Sequence, residues 1–348
     1  MDKESLLQLV DMLHKDKDID KDLVFQGIES ALESAAKKHL KTTETISIRI
    51  DRATGEITAM RGEQEIDFSD LGRITAQTAK QVIVQKIREA ERDVIYDDYT
   101  KRKGTIVSGI VQRFEGPSML INLSKIEGYL MKSEQIGNEY YHPGERIRSL
   151  ITEIKKSGHK VKILLSRTHP GFVRQLFELE VPEIPERIVE IKGLVREAGY
   201  RTKIAVYSED PNVDCVGACV GVRGTRIKNI VDELNGEKID IIRWDDSPEV
   251  FIPNTLKPAE ATGILLSPEN HIATIVVPND QLSLAIGKKG QNVRLASKLA
   301  GWDIDIITEV ELEKEREREE AENLMGKEVE EATLNEGSDN HEGIENRE

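Results

Sequence analysis

At 348 residues the chain has room for two to four modules. Aromatics of only 4% with 32% charged residues argue against one large core, and the net charge of −15 argues against a uniformly basic nucleic-acid binder. No apolar run approaches the ~18 residues of a membrane helix. The start, Met1-Asp2-Lys3-Glu4-Ser5, lacks the basic-then-apolar pattern of a secretory signal, so a cytoplasmic protein is expected. The charge is unevenly spread: residues 101–170 hold 13 basic against 6 acidic residues, a local +7, whereas 309–348 carry −11. Phosphate attraction depends on local charge, so 101–170 is the electrostatic candidate.

In the first hundred residues, Leu6, Leu7, Val10 and Leu13 recur at helical spacing, and Val24, Ile28, Leu32, Ala35 and Ala36 form one face of a second helix. The period then changes to two. Thr45–Ile50 and Gly55–Met60 alternate strictly around the turn-like Asp51-Arg52-Ala53-Thr54, which predicts a hairpin. A long helix follows from about Thr75 to Tyr96, with Ala79, Val82, Ile83 and Ile87 inward, so residues 1–100 form an α+β domain.

Residues 101–170 switch to five short strands, at 104–111, 118–123, 127–131, 146–152 and 160–166, separated by Gly, Pro and charged turns. Five strands in about 70 residues fit a small OB-type barrel. The opening Gly104-Thr105-Ile106-Val107-Ser108-Gly109-Ile110-Val111 and the close Ile163-Leu164-Leu165-Ser166-Arg167 resemble the S1 RNA-binding domain. Such barrels stack bases on aromatic side chains beside basic residues. Here Phe114, Tyr129, Tyr140 and Tyr141 are the only aromatics and the second strand has none, so contact is expected to be mainly electrostatic. Arg102, Arg113, Arg146, Arg148 and Arg167 are its candidates, with Tyr129 for stacking.

From residue 171 the chain repeats itself. Val220-Gly221-Val222-Arg223-Gly224-Thr225-Arg226-Ile227-Lys228 and Ile286-Gly287-Lys288-Lys289-Gly290-Gln291-Asn292-Val293-Arg294 are Gly-x-x-Gly turns about 66 residues apart. Each joins a short apolar helix to an amphipathic one and is followed by a strand, Lys238–Ile242 or Asp303–Ile307. Two glycines three apart remove both β-carbons, so a ligand backbone can approach, and the next helix turns its unpaired N–H groups toward it. That is a phosphate site, and Arg223, Arg226, Lys228, Lys288, Lys289 and Arg294 add positive charge. With helix and strand order α-β-β-α-α-β in both copies, the stretch resembles two tandem KH domains of the bacterial type (type II), whose Gly-x-x-Gly loop clamps single-stranded nucleic acid. Candidate RNA-binding residues are therefore Gly221, Val222, Arg223, Gly224, Arg226, Lys228, Gly287, Lys288, Lys289, Gly290 and Arg294.

Longer stretches carry a more specific likeness. Gly72–Ile83, Arg201–Val206, Val216–Gly221 and Gly236–Ile242 resemble the NusA family of bacterial transcription elongation factors, with Cys215 where that family usually has proline. The resemblance implies an N-terminal RNA polymerase-binding domain (1–100), an S1 domain (101–170), a first KH domain (171–247), a second (248–308) and a disordered acidic tail (309–348) after a short helical extension. It also implies Arg73, Gln77 and Lys80 as candidate polymerase contacts, nascent single-stranded RNA and other antitermination factors as partners, action as a monomer, and a role in pausing, intrinsic termination and antitermination.

Other classes fit less well. The chain offers no paired carboxylates, nucleophile elbow or phosphate loop, and His142, His159, His169 and His271 are isolated, so no catalysis is expected. Cys215 and Cys219 lie four apart without partners for a tetrahedral site, so they read as core residues, with no metal or cofactor. A DNA-binding helix–turn–helix at Asp280–Ala300 would place contacts on the second helix rather than on doubled glycines. A stand-alone RNA chaperone or ribosome-assembly factor differs only in whether residues 1–100 find polymerase.

Overall fold

The computed structural model describes residues 20–42, 44–62, 64–66, 73–124, 126–158 and 160–318, with isolated positions between 7 and 14; side chains of His39, Ile66, 73–83 and Lys86 are outside that description. The chain forms two compact units, residues 1–135 with 141–167, and 136–140 with 168–348.

In the first unit, helix α1 (Lys21–Leu40) starts where the Asp20 carboxylate accepts from the Asp22 N–H at 2.8 Å, and ends at left-handed Lys41. Its buried stripe of Val24, Phe25, Ile28, Ala31, Ala35 and Ala36 covers the expected face. Strands β1 (Ile46–Ile50) and β2 (Ile57–Arg61) pair antiparallel as the alternation requires, with Ile46, Ile48 and Ile50 all buried. A third strand, β3 (Gln64–Ile66), extends the sheet and was not legible at three residues.

Helix α2 (Arg73–Lys101) runs five residues beyond the expected end at Tyr96. Its last turns pack into the next module: Tyr99 is 5% exposed within the barrel core, with Ile95 and Tyr96 against it. A boundary after residue 100 therefore cuts a helix that the barrel shares. The barrel closes in the order β4 (Ile106–Glu115), β5 (Ser118–Asn122), β6 (Glu127–Leu130), β8 (Lys160–Ser166) and β7 (Arg146–Ser157). Only the β6–β8 pair is parallel. Val107, Val111, Leu130, Ile151, Ile163 and Leu165 fill its interior, and this burial of apolar surface is its main source of stability.

The second unit holds both repeats. The first comprises α3 (Pro170–Glu180), β9 (Glu190–Glu197), β10 (Arg201–Tyr207), α4 (Cys215–Val220), α5 (Thr225–Glu233) and β11 (Lys238–Arg243). The second comprises α6 (Pro248–Thr255), β12 (Gly263–Ser267), β13 (Ile272–Val277), α7 (Leu282–Ile286), α8 (Gln291–Ala300) and β14 (Asp303–Thr308). In each, the middle strand runs antiparallel to the first and parallel to the third, the expected α-β-β-α-α-β arrangement. The repeats share a core in which Ala205, Ile242 and Phe251 pack with Trp244, Leu299 and Ala300. Gly193 permits this approach, because a β-carbon there would lie 2.9 Å from Leu299. Buried charge is paired, as burial demands: Arg196 and Glu237 meet at 2.9 Å, both fully buried, and Lys203 holds Asp240 at 2.9 Å and the Lys257 carbonyl at 2.8 Å. Burial still pulls the Lys203 ammonium below its ordinary value, with Asp240 opposing the shift.

Cys215 and Cys219 are buried, and burial pushes the Cys219 thiol up to about 12, so both are core residues. Residues 309–318 form the expected helical extension. Its start is a capping box, in which the Glu311 carboxylate accepts from the Thr308 N–H at 2.9 Å and the Thr308 hydroxyl accepts from the Glu311 N–H at 3.2 Å. The acidic tail beyond it lies outside the described residues.

Candidate nucleic-acid interface

The two Gly-x-x-Gly turns have one backbone conformation. Gly221 and Gly287 both stand at φ 75°, with ψ 172° and 171°, a region that side-chain-bearing residues avoid. Two residues on, Arg223 (φ 54°) and Lys289 (φ 55°) are left-handed without being glycine, which costs roughly 1 kcal/mol each. Closure holds them there: the Gly224 N–H donates to the Gly221 carbonyl at 3.0 Å, and Gly290 to Gly287 at 3.1 Å. The sharp turn pushes its two middle residues into solvent, so Val222 is 81% exposed and Arg223, Lys288 and Lys289 are exposed.

The helices that follow, α5 and α8, begin at Gly224 and Gly290 without a side-chain cap. Their first N–H groups and positive dipole ends thus face the turn, where an anion is stabilised. Space around the second glycine is open: a β-carbon on Gly290 would meet nothing within 4 Å. The first glycine is different. A β-carbon on Gly287 would lie 2.9 Å from the Asn292 backbone nitrogen, and one on Gly221 would lie 2.7 Å from the Arg226 side chain.

That contact corrects the reading of Arg226 as a phosphate ligand. Its Nη1 donates to the Ala218 carbonyl at 2.6 Å and to Glu183 at 3.0 Å, so the guanidinium wedges beneath the turn. Asn292 is its counterpart in the second copy, fully buried, donating to the carbonyls of Leu256, Leu284 and Ala285. Ala218 and Leu284 are themselves equivalent positions, so both copies pin the preceding helix from the same place. Arg294 is also engaged: its Nε and Nη2 donate to Glu197 on β9 at 2.9 and 2.5 Å, and Gln291 donates to the same carboxylate at 2.7 Å. Burial pushes Glu197 upward, but Arg294, Gln291 and Lys298 outweigh it and hold the carboxyl below its ordinary value. Lys228 is exposed on α5 beside the first turn.

In the barrel, Arg167 must be corrected outright. It is 1% exposed, its Nη1 donates to the Arg148 carbonyl at 2.6 Å, and its guanidinium lies 5.7 Å from the Tyr141 ring centre. It anchors the end of β8 and cannot meet RNA. Arg113 is exposed but faces Glu115 at 2.9 Å and Glu127 at 3.3 Å. Arg146 and Arg148 are exposed on β7. Tyr129 is half-buried, with the Lys162 ammonium 5.3 Å from its ring centre, and it lines a cleft of about 310 Å³. Burial, then Glu127 and Glu115, push its phenol above the ordinary value.

Comparison with known proteins matches residues 5–64 and 61–93 to the NusA N-terminal domain, 167–244 to the NusA-like first KH domain and 248–314 to the NusA-like second KH domain. The transcription termination/antitermination protein NusA of Bacillus subtilis is 42% identical over 338 residues, covering 88% of this chain and 91% of its own length. That of Rickettsia prowazekii is 38% identical over 339 residues, covering 87% and 67%. This chain belongs to the NusA family. A solved NusA N-terminal domain from Bacillus subtilis is 31% identical and covers 26% of the chain and 99% of that domain, with a TM-score of 0.21. The NusA family consists of transcription termination/antitermination proteins with KH domains, and each matched KH segment contains one of the two turns.

Within this NusA-family chain, the side chains of Arg73, Gln77 and Lys80 lie outside the described residues; only their place in the first turns of α2 is given. Two of the histidines have structural settings: His169 Nδ1 accepts from the Gly171 N–H at 3.0 Å to cap α3, and His271 stacks on Trp302 at 4.6 Å. Among the described residues no group of three His, Cys, Asp or Glu could hold a metal ion, and no helix is long and apolar enough to cross a membrane. Sequence reasoning missed the roles of Asn292 and Glu197. Asn292 lay in plain view five residues after the first glycine, opposite Arg226, and that alignment was the available signal.

Proposed function

We propose that the chain is a transcription elongation factor that binds RNA polymerase through residues 1–100 and nascent single-stranded RNA through the barrel and both KH domains. The barrel of residues 101–170 acts as an S1 domain. Exposed Arg223, Lys288 and Lys289, with the uncapped starts of α5 and α8, hold the RNA backbone, while Gly221, Gly224, Gly287 and Gly290 let it approach. Arg146, Arg148 and Lys228 add charge along the path. The protein works in the cytoplasm, as a monomer, with other antitermination factors joining the assembly; it catalyses no reaction and needs no cofactor. Its effects are longer hairpin pauses, aid to intrinsic termination and participation in antitermination. Tethering to polymerase raises the effective concentration of each weak RNA site beside the emerging transcript, so modest affinities suffice.

The observation that carries this reading is the doubled turn, with cationic residues held left-handed and solvent-facing in front of an uncapped helix. The test is the lifetime of a hairpin-stabilised pause by purified bacterial RNA polymerase, with the full chain and with Arg223→Asp, Lys288→Asp, Lys289→Asp. Prolongation by the parent and its loss in the variant support the reading. A pause unchanged by a parent that binds RNA makes the chain a free RNA-binding factor.

A further inference from the structure

The cleft beside Tyr129 is not made by the barrel alone. Its other wall is helix α2, which contributes Arg88 and Ile95, while Ile126 and Lys160 complete the barrel side. The helix is fixed there. Tyr99 is buried in the barrel core, Arg92 Nη1 donates to the Gly158 carbonyl at 3.0 Å, and Lys156 pairs with Asp93 at 2.8 Å while lying 4.4 Å from the Tyr96 ring centre. Pinned at a hairpin and in a core, α2 forms a fixed wall.

We propose that this cleft is a binding site for one nucleotide of single-stranded RNA, built jointly by α2 and the barrel. A cleft of about 310 Å³ has room for a small group such as a single base with its phosphate. Its composition suits one: Ile95 and Ile126 offer apolar surface, Tyr129 an aromatic ring, and exposed Arg88 and Lys160 cationic heads for a phosphate. Two carboxylates, Glu91 and Glu127, also line it, and Glu127 already faces Arg113 at 3.3 Å. A polar pair beside a stacking surface reads base edges, whereas a wholly basic groove would only attract phosphate. The helix thereby adds a second wall, apolar at Ile95 and cationic at Arg88, opposite the barrel's own Tyr129. The inference rests on the reading of the chain as an RNA binder and adds that α2 touches RNA.

The test uses the full chain with both turns disabled by Arg223→Asp, Lys288→Asp and Lys289→Asp, so that residual binding reports the barrel side. The probe is a fluorescent single-stranded RNA of about eight nucleotides, within the site size of such barrels, followed by anisotropy at moderate salt. Arg88→Glu and Tyr129→Ala, each added separately, are expected to lower the residual affinity by roughly five-fold or more, the loss of one stacked base and its phosphate. Thermal unfolding of each variant keeps a folding defect distinct from a binding defect, and Arg88 is exposed. A loss with Tyr129→Ala but none with Arg88→Glu overturns the joint site, as does the absence of residual binding. If the parent with intact turns binds no RNA, it is the reading of the chain as an RNA binder that fails.

Discussion

The two Gly-x-x-Gly turns are the same in backbone and different in almost everything else. Their φ and ψ values agree within a few degrees at both glycines and at the left-handed residue between them, yet the first presents Val222 and Arg223 where the second presents Lys288 and Lys289. Beneath them, Arg226 and Asn292 pin equivalent carbonyls, one with a part-exposed guanidinium tied to Glu183, the other with a buried amide. The backbone is therefore specified by the glycines and one left-handed residue, and the wedge below and the charge above vary around it. A residue's sequence distance from a turn does not say which of these roles it has.

The largest expected difference between the copies is at the first glycine. Gly287→Ala sets a β-carbon against backbone, which cannot move aside, and should destabilise by roughly 2–4 kcal/mol. Gly221→Ala meets the stem of the Arg226 side chain, which can shift in part at the expense of its bonds to Ala218 and Glu183, and should cost about 1 kcal/mol less; denaturant unfolding of both variants compares them. Next come the wedges. Asn292→Ala takes a donor from two buried carbonyls, Leu256 and Ala285, and from the part-buried Leu284 carbonyl, at about 1–3 kcal/mol, whereas Arg226→Ala acts at a partly exposed site and should cost about 1 kcal/mol. Equal losses would mean that burial does not set the worth of the two wedges.

Smaller effects sharpen the contrast in charge. Lys288→Ala with Lys289→Ala should reduce the slope of log affinity against log salt by about 1.4 and Arg223→Ala by about 0.7, because each phosphate contact on a single strand contributes about 0.7. The smallest is the bridge from Arg294 and Gln291 of the second copy to Glu197 of the first. Glu197 is held below its ordinary value, so its contribution to stability is present above the unfolded carboxyl value of about 4.3 and is lost as pH falls through the lower folded value. Glu197→Gln should flatten that part of the stability-versus-pH curve and leave the neutral-pH fold intact, as circular dichroism across pH would record.

Most of the fold was readable because its signals are local. Glycine pairs, alternation in β1 and β2, and the apolar stripe of α1 each act within a few residues. The end of α2 was not readable, because Asp97 and Asp98 are a poor helical continuation, and it is contact with the barrel, through Tyr99, that accounts for the added turn. The site was half legible. Arg223, Lys288 and Lys289 stand where the motif puts them, since exposure at a tight turn follows from the turn itself. Arg226 and Arg167 were misread for one reason: a positive charge in a basic stretch looks like a phosphate ligand until its carboxylate or carbonyl partner, some 8 to 43 residues away, comes into view.

The most direct measurement is the affinity of the full chain for single-stranded RNA at moderate salt, comparing parent with Arg223→Asp, Lys288→Asp, Lys289→Asp and confirming the fold by thermal unfolding. The account predicts a folded variant whose affinity falls by at least about ten-fold and whose salt slope is shallower by about 2, three single-strand contacts' worth. A folded variant with unchanged affinity and slope would contradict it, and the RNA path would have to lie elsewhere on the molecule.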